Sequence, residues 1–497
     1  MKNSFTIKIN FTGGIISPGD LMHILDAAAL SGVKQVSFGL RQQLFIEVAN
    51  EEYNKLTEAL KGKDIAFEAD TDQHPNIVSS YPAEEIFITK TWLSEGVYKD
   101  IFDAFDYVPT LKINISDSKQ SFTPMLTGNI NWVASDNLHF WHLFIRFPKT
   151  NAIYEWPDIV YTNDIAALTQ HIETVIKSSD KQFYDAPEPD GTSLYSIVTQ
   201  QQQYNVKAAE TKIVFPPFML PYYEGFNRVN NRYWLGIYRR DEKFSVAFLQ
   251  QVCSLCLATK IGQLCSTPWK SIIIKGIEEK DRNLWDAVLG KHQINVRHAA
   301  NELNFQVEDD CKEGLALKNY LIKHLQQDDT RTFGICIGIK TRRKSEVFSS
   351  ILVKKKPLFS IAGIDFFSRY DILCAKDFNP NERTGKIFSA NNYKWMLPEQ
   401  LRRAIIGFYA HKENVQQTFS IKKPKKEAPQ KAEIPVWIHQ CPQCFTVYDA
   451  SVGEPENHIA AGTLFENLPE QYGCPLCEAP KEMFTPINKL SLVFKEA

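Results

Sequence analysis

Residues 17–48, "SPGDLMHILDAAALSGVKQVSFGLRQQLFIEV", lie over residues 245–276, "SVAFLQQVCSLCLATKIGQLCSTPWKSIIIKG", without a gap, at a constant offset of 228 positions. Ser17 meets Ser245, Leu21 meets Leu249, Ile24 meets Val252, Leu44 meets Ile272, Ile46 meets Ile274, Leu56 meets Leu284 and Gly62 meets Gly290. The chain therefore carries two copies of one folding unit, and that restricts its architecture more than any other feature. In the first copy Ser17 is the expected N-cap, Pro18 the first helical residue and Asp20 the acid of a capping box. Leu21, Ile24, Leu25 and Ala28 then recur at helical spacing. Gly32 hands the helix over to a strand, "QQLFIEV" alternates as a second strand and "YNKLTEALKG" reads as a second helix, so each copy is a βαββαβ-like half-domain.

The stretches between and after the copies read as mixed α/β, marked by the strands "TLKINIS" and "FWHLFIR", then "FGICIGIK" and "SSILVKK". The expected class is α+β. Half-domains are placed at 1–80 and 231–310, a mixed domain at 81–230 and a shorter one at 311–410. A Lys/Pro/Ala-rich linker over 411–434 follows, its clearest part being "KKPKKEAPQKAEIP" at 422–435, which has almost nothing to bury. The last segment, 435–497, is a separate small domain. From Val436 onward it holds eight acids against three bases, an acidic module on a basic tether.

Charged residues make up 23% of the chain and the formal net charge is −2, so its overall charge gives no case for nucleic acid or an anionic membrane as partner. "MKNSFTIKINFTGG" alternates like a strand instead of presenting an export signal, and no run approaches 18 apolar residues, so no membrane span is expected. Six of the ten cysteines are scattered among apolar neighbours, unlike a secreted disulfide framework. A reducing cytoplasm is the expected location.

The other four cysteines do form a pattern. Cys441 and Cys444, then Cys474 and Cys477 after a spacer of 29 residues, are two C-x2-C pairs. Such pairs bring four thiolates to one tetrahedral point, which on spacing alone leaves both zinc and iron open. Four thiolates also leave no exchangeable coordination position, so the metal can pass an electron or brace a fold but cannot bind substrate.

The residues between the pairs, "CPQC…VYD…G…GTLF…LP…Y…CPLC…K…F", resemble rubredoxin in order and spacing over about 45 residues. The resemblance implies a mononuclear iron held by Cys441, Cys444, Cys474 and Cys477, with Tyr448, Phe465, Tyr472 and Phe484 as an aromatic core beside it. Three departures stand out. Phe445 and Glu478 replace the glycine that rubredoxins usually place after each pair, and Tyr472 replaces a tryptophan. If the backbone at 445 and 478 is left-handed, each non-glycine residue costs about 1–2 kcal/mol.

The repeated unit resembles the ferredoxin-like half-domain of the nitrite and sulfite reductase family, through "GGIISPGDLMHILDAAALSGVKQVSFGLRQQLFIEV" and "STPWKSIIIKGI". Active members of that family carry siroheme coupled to a 4Fe-4S cluster bound by C-x5-C and C-x3-C cysteines, a pattern this chain lacks. Cys253, Cys256, Cys265, Cys311, Cys336 and Cys374 form no such pairs. "CSLC" at 253–256 falls, through the repeat, on the buried face marked by Leu25 and Ala28, so core packing is expected there. Arg41 lies at the family's arginine that helps line the siroheme and anion site, against the plainer role of a strand-end ion pair; the second copy has Trp269 and Lys270 there. The basic runs "KTRRK" (340–344) and "KKK" (354–356) read as solvated faces or as attraction for an anionic partner, and His139 and His142 as strand residues and not as ligands.

These readings combine into an iron-binding electron carrier tethered to a reductase-like scaffold that has lost its cluster ligands, serving an unidentified reductase or oxidase, with catalysis by the chain itself not expected. The alternatives are a siroheme or tetrapyrrole-binding reductase with a built-in donor, and a structural or interaction protein with a zinc ribbon.

Overall fold

The computed structural model describes residues 3–88, 90–210, 212–342, 347–361, 364–382, 385–421 and 437–489. It divides into two compact units, Met1–Val415 and Gln416–Ala497. The fold is α+β. No helix among the described residues is long and apolar enough to cross a membrane.

In the first unit the duplication is visible element by element. Helix Pro18–Leu30 matches helix Val246–Ala258, strand Leu44–Ala49 matches Ile272–Glu278, and strand Ser4–Ile9, ahead of the matched sequence, matches Arg232–Ile237 at the same offset. Ser17 Oγ accepts from Asp20 N at 3.0 Å and donates to Asp20 Oδ2 at 2.7 Å; Ser245 caps the second helix through Phe248 N. Gly32, at φ 71°, takes the left-handed turn that ends the first helix.

Each half-domain also contributes two residues to the other's sheet. Strand Phe244–Ser245 pairs with Gln35–Phe38 of the first half, and strand Ile15–Ile16 pairs with Leu264–Ser266 of the second. One apolar core spans both halves, joining Leu21, Ile24, Leu25 and Ala28 to Leu249, Val252, Cys253, Cys256 and Trp285. Cys253 and Cys256 are free and buried there, and burial pushes the Cys253 thiol up to about 12, so neither is poised as a metal ligand.

The first mixed region builds a seven-stranded sheet. Strands Val78–Ser79, Ile113–Ser116 and Ile130–Ala134 run parallel, and Phe140–Arg146 returns antiparallel beside the last. Trp132, Trp141 and Trp156 fill its core. The shorter mixed region has five strands, with Phe305–Val307, Ile337–Lys340 and Ile351–Ile361 parallel and two antiparallel strands following. Residues 411–421, placed in the linker on sequence grounds, continue the helix Leu397–Ile421, while 422–436 lie outside the described residues. The polar run after His411 lacks the Pro and Gly signals that stop a helix.

The second unit is a three-stranded sheet in the order Val447–Tyr448, Trp437–Gln440, Thr485–Asn488, closed by two cysteine-bearing loops. Its core is small: Cys441, Tyr448, Phe465, Leu468, Tyr472, Cys474, Ala479 and Phe484.

Candidate metal centre

The two cysteine loops have the same construction. In the first, Cys441 N donates to Thr446 O at 2.8 Å and Phe445 N to Cys441 O at 2.9 Å; in the second, Cys474 N donates to Ala479 O and Glu478 N to Cys474 O, both at 2.8 Å. Closing so tight a turn takes a left-handed residue, and Phe445 and Glu478 sit at φ 59° and 58°. The two loops face each other. Cys441 Sγ lies 3.6 Å from Cys477 Sγ and Cys444 Sγ lies 3.4 Å from Cys474 Sγ, and all four sulfurs fall within 4.8 Å of one another. A metal bound tetrahedrally by sulfurs about 2.3 Å away has S–S edges of about 3.8 Å, so this set is already close to ligating geometry.

Cys441 and Cys474 are buried, whereas Cys444 and Cys477 reach the surface in part. Thr446 holds the Cys444 thiol down to about 6 through hydrogen bonds from its hydroxyl, at 3.0 Å, and its backbone N–H, which favour the thiolate a metal needs. On the inner side Phe465 packs against Tyr448, Tyr472 and Phe484, with ring centroids 5.4–6.3 Å apart, and His439 stacks on Phe465 at 3.9 Å. Rings that close exclude water and lower the dielectric around the sulfurs.

The Rubredoxin family model matches residues 438–484. Over 48 residues the chain is 48% identical to rubredoxin-2 of Chlorobaculum tepidum, covering 92% of that protein but 10% of this one. The chain belongs to the rubredoxin family. Its rubredoxin segment is also 44% identical over 50 residues to a probable rubredoxin of Methanothermobacter thermautotrophicus, covering 79% of that protein. The arrangement is that of a mononuclear Fe(Cys)4 site, and its donor set of four soft sulfurs without a free position fits one iron ion. Over 82% of its length the chain shares its fold with the Mycobacterium tuberculosis NirA protein, at TM-score 0.59 and 12% identity, covering 81% of that protein. The chain thus joins a rubredoxin segment to a region with the fold of that protein.

Among the described residues the four tail cysteines are the one group of three or more His, Cys, Asp or Glu whose ligand atoms converge. Arg41 ends up in interior polar packing: its guanidinium donates to Asn76 O and Ile113 O at 2.7 and 2.9 Å and to Asn114 Oδ1 at 3.3 Å, stitching the first half-domain to the adjoining sheet. The cavity it lines measures 230 Å³, below the roughly 300–1,000 Å³ of an ordinary organic-ligand pocket. In the second copy Trp269 is buried, and Lys270 is held by Glu242 at 2.6 Å and Asp309 at 3.6 Å. His139 and His142 lie outside that group of ligands. Thr446, whose hydroxyl meets Cys444 Sγ, is a contact that spacing did not reveal; a hydroxyl two places after a cysteine is too common to carry weight by itself.

Proposed function

We propose that the protein is a one-electron carrier in which Cys441, Cys444, Cys474 and Cys477 bind a single iron and the reductase-like region serves as a platform for an unidentified reductase or oxidase. The observation that carries this reading is the closed set of four converging sulfurs under an aromatic shell. When bound, the iron supplies a one-electron ferric/ferrous couple. The chain's own residues do the rest. The cysteines fill every coordination position, so no substrate is ligated and transfer occurs without bond-making. Tyr448, Phe465, Tyr472 and Phe484 keep water from the buried side, and the part-exposed Cys444 and Cys477 form the side nearest a partner. Carrying both units on one chain raises the local concentration of the carrier around anything bound to the platform. Six further free cysteines fit a reducing cytoplasm.

The test is metal analysis with a visible spectrum and a reductive titration of the full chain prepared in iron-replete medium. One iron per chain, thiolate-to-iron bands bleached by one electron equivalent, and loss of both in Cys444→Ser are the expected results. A colourless protein holding zinc rules the carrier out. Additional tetrapyrrole bands favour a reductase.

A further inference from the structure

Strands Ile113–Ser116 and Ile130–Ala134 run parallel, and a crevice opens beyond their carboxyl ends, the place where parallel strands commonly take ligands. Ser118 and Lys119 follow the first strand, and Ser135, Asp136 and Asn137 the second. These residues line a cavity of 540 Å³, inside the roughly 300–1,000 Å³ range of an organic-ligand pocket. His142, on the neighbouring strand Phe140–Arg146 and registered opposite Val133, lines the same cavity. The segment 212–217 supplies the other lining, and its Ile213 and Phe215 pack on the cluster that holds Val133 and Phe144. The Phe215 and Phe144 rings lie 5.9 Å apart. This segment is thus anchored on the sheet beside a space that it leaves open.

His142 is 7% exposed, and its Nδ1 is sealed without a hydrogen-bond partner. Burial holds the ring below the usual imidazole range, with Glu155 and then Asp136 offsetting part of the effect, so the ring is neutral at neutral pH. A neutral imidazole carries one proton. On Nδ1 that proton would make a buried N–H with no acceptor, the rarer and costlier kind of orphan, so it belongs on Nε2. One donor is therefore left for a guest. The charges of the lining cancel: among the described residues Lys119 and Lys212 stand against Asp136 and Glu210, and Lys119 is already held by Asp136 at 3.1 Å. A guest with a net charge would lose its water here and find no free counter-charge.

We propose that this cavity binds an uncharged ring compound whose carbonyl or hydroxyl oxygen accepts a hydrogen bond from Nε2 of His142 while its ring packs on Phe215 and Pro216. Every residue of the site belongs to the larger unit, so binding is separate from the iron centre and independent of its oxidation state.

Acetophenone and benzoate, matched in size and differing in charge, are the probes, titrated into the iron-loaded full chain at neutral pH and followed by ligand-observed NMR. Acetophenone should saturate one site and bind at least about tenfold more tightly than benzoate. His142→Phe should weaken it about fivefold, while His142→Gln, which keeps an N–H donor at that place, should stay within about twofold of the wild type. Ser118→Trp, which fills the cavity from its half-buried edge, should abolish binding. If His142→Phe does not fold, Ser118→Trp decides by itself. The absence of saturable acetophenone binding, benzoate binding as tightly, or undiminished affinity in His142→Phe or Ser118→Trp overturns the proposal.

Discussion

Phe445 and Glu478 hold the same backbone conformation, φ 59° and 58°, each directly after the second cysteine of its pair and each donating its N–H to the carbonyl of the first. A Cβ in this region crowds the neighbouring carbonyl, at about 1–2 kcal/mol per residue. Phe445→Gly and Glu478→Gly should each stabilise the iron-loaded rubredoxin unit by about that amount, since the Phe445 ring is mostly exposed and little packing is lost. Denaturant unfolding followed through the iron chromophore measures it; unchanged midpoints would show the turn to be unstrained.

Iron removal should unfold the second unit while leaving the first intact. Two of the eight buried residues in the small core are themselves cysteines of the metal cluster, so the sulfurs' repulsion and lost cross-link strike at the centre of its packing. The units are compact separately. Limited proteolysis of chelated protein should cut within 437–489 and spare the Met1–Val415 unit; equal resistance with and without iron contradicts this.

Leu25 and Cys253 occupy equivalent places in the duplicated helices, both fully buried in the shared core. Leu25→Ala should cost about 2–5 kcal/mol through the cavity left. Cys253→Ala removes only a sulfur and should cost less than half as much, with the iron content unchanged. A drop in iron on replacing Cys253 would mean that the thiol has a role outside packing.

Asp449 is held down to about 2 by hydrogen bonds from Lys489 and then Ser451. Its folded value is below the ordinary 3.8, so its contribution is complete above that and fades as pH falls through about 2. Much of the pair faces solvent, which limits it to about 1 kcal/mol. Asp449→Asn should lower the rubredoxin unit's stability by that amount at pH 6, and about half of the difference should persist at pH 3. Thermal melts of both proteins across that interval provide the comparison.

Much of this architecture is readable in the residues themselves. The constant offset exposes the duplicated helices and strands because apolar positions such as Leu21 and Leu249 must face one core, and Ser17 announces its helix through the cap it makes. The four cysteines reveal their convergence because two C-x2-C pairs can each wrap two sulfurs around one ion. Less legible are Ile15–Ile16 and Phe244–Ser245: two residues are too few to show a strand's alternation. Lys270 is equally opaque, since a lysine reads as surface until burial places it inside.

The swap of those two short strands makes the duplicated halves inseparable. A fragment cut anywhere between them lacks an edge of its sheet and bares half of a common interior. The exchange of edges thus ties the two copies of the repeat into one body.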